Sequence, residues 1–216
     1  MPKLRALLAV STLLLIFPSF AFARGVVKIR LDDTIQPVSD EYIGRAIEQA
    51  RQTHADAVLI ELRTPGGLAD STRSIVEKIL ASPVPVIVYV APPGARAASA
   101  GFFILEAADV AAMAPGTNTG AAHPVNLGGE KMDDVMKQKV ENDSAAFMRS
   151  FVGPRGRNVA LAESAVRESK SFTDKEALDQ HLIDYVARDQ DDLFKQIEGK
   201  PVKRFDGRTE IGRAHV

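Results

Sequence analysis

Hydrophobic residues recur along this chain in two alternating patterns. Short, nearly continuous apolar runs are typical of strands that are buried on both faces of a parallel sheet. They predict strands over 26–31, 57–62, 86–90, 110–113 and 183–187. Strands that alternate with helices indicate an α/β fold with a mainly parallel sheet.

Between these runs, apolar residues recur every three or four positions, which is the spacing of one helix face. Helices are predicted over 39–53, 69–81, 133–151, 159–168, 174–180 and 191–197, with a shorter helix that starts at 97–101. Ser39 is the predicted N-cap of the first helix. Residues 115–120, rich in Gly, Pro, Thr and Asn, are predicted as a loop.

The first 23 residues have the pattern of a secretory signal peptide. Lys3 and Arg5 precede an apolar run over 6–17, and the small-x-small triplet 21–23 follows as a cleavage site. An uncleaved membrane anchor is the alternative, but the run is shorter than the roughly 20 residues of a span and Pro18 interrupts it. We expect export and cleavage after residue 23.

The last residues, 210–216, have neither a helical spacing nor an apolar face. One back-translation of them, GAG ATC GGA AGA GCA CAC GTC, matches a widely used sequencing-adapter oligonucleotide. We therefore expect 210–216 to be a non-native, adapter-derived tail, and the natural protein to continue after residue 209. A natural disordered tail is the alternative, and the sequence of the native locus distinguishes the two.

Composition places the chain among ordinary soluble domains, because 45% of its 216 residues are hydrophobic and 25% are charged. The absence of cysteine excludes disulfides and thiolate chemistry. With four scattered histidines, a structural zinc site would need His and carboxylate ligands alone, which is uncommon. A net charge of −1 argues against a nucleic-acid partner, which requires a basic face.

Two features lie just after apolar strands, where open α/β sheets bind ligands. Gly66 and Gly67 let backbone N–H groups turn towards one point, as an oxyanion hole requires, although most such pairs are ordinary turns. Ser99 lies between Ala98 and Ala100 at a predicted helix start. Such a serine is often a cap or a packing residue, but α/β hydrolases also expose a nucleophile on a strand-to-helix turn.

Three segments in this order carry a family resemblance: ELRTPGG at 61–67, PPGARAASAG at 92–101 and AMAPGTNTGAAHP at 112–124. Over about residues 26–197 the chain resembles the NfeD family of membrane-bound serine proteases, which have the Clp/crotonase fold. The resemblance implies an α/β spiral of βαβ units in one domain over 24–209. It also implies peptide cleavage by a Ser–Lys dyad that needs no metal and no cofactor.

The resemblance assigns the dyad to two residues of this chain. The family's nucleophile is the serine of the Ala-Ser-Ala-Gly motif, which is Ser99 here. Its base is a lysine in the next long helix, upstream of a Gly-Arg-Asn triplet; Lys139 has that position, with the triplet at 156–158. Burial against apolar walls would lower the pKa of this lysine, so that a neutral amine accepts the serine proton. The alternative is a solvated charged face, shared with Lys131 and Lys137.

His123 is an alternative base. The related Clp protease subunit uses a Ser–His–Asp triad, and its histidine follows the serine at about this distance. The aspartate of such a triad would lie near Asp174, Asp179 or Asp184.

The same resemblance implies an oxyanion hole and a substrate cleft. The backbone N–H groups of Gly67 and Ala100 would hold the oxyanion. Gly66, Asn118 and Thr119 would line the cleft, although Asn118 and Thr119 are more typical of a turn.

The implied function is an exported serine endopeptidase that cleaves apolar segments of membrane-associated proteins, stomatin-like proteins in particular. It would act at the periplasmic or extracytoplasmic side of the membrane, as a homodimer or higher oligomer, with a membrane-anchored full-length form. The first alternative is a catalytically inactive protease-like scaffold that binds membrane partners. A crotonase-like acyl-CoA enzyme is a second alternative, which a signal peptide disfavours because CoA chemistry is cytoplasmic.

Overall fold

A computed structural model gives the structure of residues 25–125 and 133–212. The predicted signal peptide, 1–23, lies outside these residues, and so do residues 213–216 of the predicted tail. The strands, labelled in chain order, are Val26–Asp32 (β1), Ala57–Arg63 (β2), Val86–Val90 (β3), Arg96–Ala98 (β4), Val110–Met113 (β5), Asn118–Gly120 (β6), Ser171–Thr173 (β7), Tyr185–Val186 (β8), Pro201–Lys203 (β9) and Thr209–Ile211 (β10). The helices are Pro37–Thr53 (α1), Ala69–Leu80 (α2), Ala100–Ala107 (α3), Asp134–Val152 (α4), Val159–Arg167 (α5), Asp174–Asp179 (α6) and Gln190–Ile197 (α7).

A central sheet holds the five strands that the apolar runs predict. Its order is β1-β2-β3-β5-β8, and every neighbouring pair is parallel. Each of these strands is added beside the one before it, so the βαβ units wind in one direction. The predicted α/β spiral with a mainly parallel sheet is confirmed.

The continuous apolar runs arise because both faces of this sheet are covered. In β2, Val58, Ile60 and Leu62 point into a large core formed with α1 to α6. The alternate residues Ala57 and Leu59 point into a smaller core on the opposite face, formed with α7 and β9. All five are buried, so both faces of the strand favour apolar residues at these positions.

The start of α1 differs from the prediction. Its N-cap is Gln36, and the helix begins at Pro37, whose missing N–H costs nothing at the first helical position. Ser39 is the third helical residue, and its hydroxyl accepts from the Gln36 N–H at 3.4 Å in a capping box. The prediction that Ser39 is the N-cap is therefore wrong, because the chain enters the helix three residues earlier.

Five short strands were not predicted. β4, β6 and β7 form a second sheet, in which β4 is parallel to β6 and β6 is antiparallel to β7. The predicted loop at 115–120 is thus wrong over its last three residues, which are β6. β9 and β10 form an antiparallel hairpin.

The hairpin includes the start of the tail that we predict to be non-native. Glu210 pairs with Val202, and the Gly212 N–H donates to the Lys200 carbonyl at 2.8 Å. The adapter origin of 210–216 stays a prediction. None of the helices in the described part of the chain is long and apolar enough to cross a bilayer.

Candidate active site

Ser99 joins β4 to α3 and has an unusual backbone conformation. Its φ is +53° and its ψ is −114°, a region that a residue with a Cβ adopts only under constraint. The constraint acts from two sides, because its N–H donates to the Gly120 carbonyl at 2.9 Å and its carbonyl accepts from the Phe102 N–H at 3.0 Å. Its half-buried side chain makes no hydrogen bond within the described part of the chain. The hydroxyl is therefore available for chemistry at the start of α3.

Gly66 and Gly67 bring the loop after β2 against Ser99. Gly66 has a φ of +124°, and a Cβ on it would lie 2.7 Å from the Ser99 Cβ. A Cβ on Gly67 would overlap the backbone of Ile35. The buried Thr64 side chain shapes the loop, since its hydroxyl lies 3.2 Å from both the N–H and the carbonyl of Gly66. Only glycine permits this approach. The motif analysis missed Thr64, although it stands in the ELRTPGG string.

Two residues that line the same cavity as Ser99 have backbone N–H groups without a partner in the described part of the chain. In the described residues neither the Gly67 N–H nor the Ala100 N–H donates a hydrogen bond. Ala100 is the first residue of α3, so its N–H also lies at the positive end of the helix dipole. Free donors at this place can stabilise an oxygen that becomes negative. The structure brings Ser99, Gly67 and Ala100 together around one cavity.

This cavity, which we name the Ser99 cavity, has a volume of about 320 Å³ and lies between α2, α3 and α4. Apolar side chains form most of its walls. They are Phe103 of α3, Val140 and Phe147 of α4, and Ala122, Pro124 and Val125 of the segment after β6. Arg73 of α2 and Ser144 of α4 are also at its surface. The cavity can take an apolar side chain whose backbone carbonyl faces Ser99.

Lys139 lies on α4 but does not line the Ser99 cavity. The next residue, Val140, does line it. The side chains of 133–139 are all exposed, and the buried side of α4 starts only at Ala145. The burial that we expected for the Lys139 amine is therefore absent from this structure.

His123 points away from the cavity. Its Nδ1 lies 3.0 Å from the Val166 carbonyl at the end of α5, and a carbonyl can only accept, so Nδ1 carries the proton. Its neighbours Ala122 and Pro124 line the cavity, whereas His123 does not.

None of the three candidate aspartates is a partner of His123 in the described hydrogen bonds. Asp174 is buried and accepts from the Gly116 N–H at 3.1 Å. Asp184 pairs with Arg157 at 2.7 Å, and Asp179 is exposed on α6. The structure does not assemble a Ser–His–Asp triad from these residues.

Asn118 and Thr119 belong to β6. Thr119 is buried, and its hydroxyl donates to the Ala97 carbonyl at 2.8 Å, which ties β6 to the strand before Ser99. Asn118 is exposed. Neither lines the Ser99 cavity.

The motif analysis also missed two arginines that hold the other end of α3. Arg157 donates to the carbonyls of Glu106 at 2.6 Å and Ala108 at 3.1 Å, and Arg155 donates to the carbonyl of Ala107 at 2.7 Å. Both arginine side chains are almost completely buried. Positive charge at the C-terminus of a helix is favourable for its dipole. Arg157 is the middle residue of the Gly-Arg-Asn triplet at 156–158, which in the sequence analysis serves only to locate Lys139.

Glu106, in the last turn of α3, has a completely buried carboxyl group without a hydrogen-bond partner in the described residues. Burial raises the pKa of Glu106 to about 8, although the nearby Arg157 charge acts in the opposite direction. Glu106 is thus neutral in the folded protein at pH 7. Groups of three or more His, Asp or Glu side chains that could hold a metal do not occur in the described ranges.

Comparisons with known proteins show the family and the fold to which this chain is similar. A family described as the NfeD1b N-terminal domain matches residues 25–199. The membrane-bound protease PH1510 of Pyrococcus horikoshii is 37% identical over 203 residues, which are 93% of this chain. The chain spans 46% of the length of that relative.

Solved structures are similar as well. A serine-to-alanine variant of the 1510-N membrane-bound stomatin-specific protease is 36% identical, with a TM-score of 0.81 over 88% of this chain and 93% of that one. A lysine-to-alanine variant of 1510-N, in complex with a substrate peptide, is 35% identical, with a TM-score of 0.82 over 89% of each chain. ClpP1 from Listeria monocytogenes, 16% identical, has a TM-score of 0.61 over 76% of this chain and 92% of that one, which is a likeness of fold alone.

Proposed function

This chain belongs to the NfeD1b N-terminal domain family, and from this premise we propose that it is a serine endopeptidase with Ser99 as its nucleophile. The observation that carries the proposal is the strained Ser99 turn. Its unbonded hydroxyl belongs to the same cavity as Gly67 and Ala100, whose backbone N–H groups are also unbonded in the described residues. The relatives named as proteases cover most of this chain.

In the proposed reaction Ser99 Oγ attacks a peptide carbonyl carbon and forms a tetrahedral intermediate. The N–H groups of Gly67 and Ala100 stabilise its oxyanion, and losing one such donor typically slows a reaction by roughly 10²–10³-fold. The amine product leaves, and water then hydrolyses the acyl-enzyme. The shared position of Ser99, Gly67 and Ala100 at the Ser99 cavity supports these roles.

Lys139 is the proposed base. It would accept the proton of Ser99 Oγ and return a proton to the leaving amine. Two points support it: the motif position in the family, and its location next to Val140, which lines the cavity. An exposed amine must turn towards Ser99 and lose water contacts to act as a base at neutral pH. His123 is the weaker alternative, because its Nδ1 is bound to the Val166 carbonyl.

The apolar walls of the Ser99 cavity support an apolar substrate. One relative is described as stomatin-specific, and we propose that this chain likewise cleaves apolar segments of membrane-associated, stomatin-like proteins. Export through the predicted signal peptide, a membrane-anchored full-length form and a homodimer or higher oligomer are part of the same proposal.

A second candidate function is a scaffold that binds membrane partners without cleaving them. The exposed Lys139 side chain favours it, because the proposed base does not reach the cavity in this arrangement.

Covalent labelling distinguishes the two functions. The protein is treated with a fluorophosphonate, which forms a bond to activated serines, and the labelled residue is found by peptide mass spectrometry. We expect modification at Ser99 in the wild type and none in Ser99→Ala. Ser144→Ala is the matched control, because Ser144 lines the same cavity and should leave the labelling unchanged. Labelling confined to other serines, or absent, contradicts the proposal and favours the scaffold.

A further inference from the structure

We propose that the ion pair between Arg73 and Asp143 sets the substrate selectivity of the Ser99 cavity, by neutralising the cationic group at its wall. The inference rests on the proposed function. A substrate residue whose carbonyl lies between Ser99 and the donors of Gly67 and Ala100 must direct its side chain into the adjoining cavity. The charge at the cavity wall then decides which side chains enter.

Arg73 of α2 is the cationic residue among those that line the Ser99 cavity within the described chain. Its guanidinium carbon lies 4.3 Å from the ring centre of Phe147, a cation–π arrangement. Phe147 in turn stacks on Phe103, with their ring centres 6.0 Å apart. The guanidinium is thus held against the aromatic wall of the cavity instead of extending into solvent.

Asp143 of α4 accepts a hydrogen bond from Arg73 and neutralises its charge. The Asp143 side chain is 69% exposed and the Arg73 side chain 36%, so the ion pair lies at the solvent-accessible part of the cavity wall. With this pair in place, a carboxylate side chain of a substrate competes with Asp143 for the same donor. Because the ion pair is neutral overall, a lysine or arginine side chain gains no attraction from it and loses its hydration in the apolar cavity. Aliphatic side chains incur neither cost, so the paired state selects leucine or methionine.

Removing the Asp143 charge makes a sharp prediction. Asp143→Asn keeps the shape of the side chain but frees the guanidinium of Arg73, which then binds carboxylates in the favourable fork geometry. The variant should accept a glutamate-containing peptide better, while its affinity for the leucine peptide stays the same. Arg73→Met keeps a long stem against Phe147 and removes the charge, so the double variant should lose the gain.

The test measures binding without chemistry. In a Ser99→Ala background, fluorescein-labelled octapeptides that are all alanine except for one central Leu or Glu are titrated and followed by fluorescence anisotropy. We expect Asp143→Asn to improve the Kd of the Glu peptide about fivefold and to leave the Kd of the Leu peptide within twofold. The matched control is Glu41→Gln, which removes an exposed carboxylate from a pair with Arg45 on α1, at 2.9 Å and away from the cavity.

The outcomes separate this inference from the proposed function. An equal gain in Glu41→Gln, a gain that survives Arg73→Met, or the absence of peptide binding overturns the role of the ion pair. The same peptides are then incubated with protein that retains Ser99. If the protein shows the predicted binding selectivity but cleaves neither peptide, only the proposed protease function is contradicted. If it cleaves the peptides but shows no selectivity, only the ion-pair inference is contradicted.

Discussion

The two ends of α3 differ in whether their polar groups have hydrogen-bond partners, although the helix is only eight residues long. At the N-terminal end, the Ala100 N–H and the Ser99 hydroxyl have no partners in the described chain. At the C-terminal end, buried arginines bind the carbonyls of successive residues. Every residue of α3 itself is buried. The polar groups at the N-terminus of α3 can therefore remain without partners until a substrate binds, because the buried arginines at its C-terminus and the burial of all its residues hold the helix in place.

The largest expected effect concerns the N-terminal end. Lys139→Ala should slow peptide cleavage about 10⁴-fold, because it removes the proposed base. Thermal unfolding should not change, since the side chain is exposed. Lys137→Ala, an equally exposed lysine on α4, is the control and should cleave at the wild-type rate. If His123→Ala abolishes cleavage and Lys139→Ala does not, the Ser–Lys dyad is wrong.

At the C-terminal end we expect a loss of stability. Arg157→Met removes the donors to the Glu106 and Ala108 carbonyls and leaves Asp184 without its charged partner. A buried carbonyl that loses its donor typically costs about 1–3 kcal/mol. The Asp184 side chain is 37% exposed, so the broken ion pair adds little to that loss. Urea unfolding measures the change in the free energy of unfolding. The matched control is Arg167→Met on α5, whose ion pairs are exposed and should contribute less than about 1 kcal/mol. Similar losses in both variants would contradict the special role of the buried arginine.

The Glu106 carboxyl makes the C-terminal end sensitive to pH. Its pKa is about 8 in the folded protein, above its ordinary value of 4.5, so the folded state binds more protons between these pH values. Its contribution to stability is complete below pH 4.5 and is lost as the pH rises through 8. Glu106→Gln should be as stable as the wild type at pH 4.5 and more stable at pH 8, by roughly 2–4 kcal/mol.

Unfolding in urea at several pH values checks this prediction. Glu176→Gln is the control, because a capping hydrogen bond with Thr173 lowers the pKa of Glu176. Stability from Glu176 is lost only as the pH falls, so this variant should show a constant difference from the wild type between pH 6 and 8. If the difference in the free energy of unfolding between the wild type and Glu106→Gln does not change between pH 6 and 8, the Glu106 carboxyl is not neutral in the folded protein.

The smallest expected effect on stability lies in the glycine loop of the N-terminal end. Gly66→Ala places a Cβ 2.7 Å from the Ser99 Cβ at a positive φ, and we expect a cost of about 1–3 kcal/mol. Labelling of Ser99 by a fluorophosphonate should slow by about 100-fold, because the oxyanion donors shift. Gly94→Ala separates the two causes: its φ is +84° but a Cβ there has open space. Gly94→Ala should lose some stability and keep the labelling rate.

The sequence predicted the central sheet well because its strands are recognisable locally. β2 and β3 are buried on both faces, so nearly every residue in them is apolar. β4, β6 and β7 have three residues each, too few for an alternating pattern, and they exist because distant segments pair. The loop predicted at 115–120 was wrong for this reason.

The candidate site was predicted unevenly. The motifs identified Ser99, Gly67 and Ala100, which the fold brings around one cavity. Thr64 and the two buried arginines were missed, because their roles depend on contacts with elements far away in the chain. Thr64, for example, donates its N–H to the Arg96 carbonyl in the strand before Ser99.

The amino-acid sequence by itself determined the positions of the central strands along the chain, the family and the residue types at the site, since these follow from local apolar runs and short motifs. Only the tertiary structure decided the positive φ of Ser99, the neutral buried Glu106, the exposed Lys139 and the ion pair of Arg73 with Asp143. Each of these depends on burial and on pairing between residues that are distant in the chain. Such contacts decide which groups lose water and which charges meet, and periodicity along a chain carries no information about either.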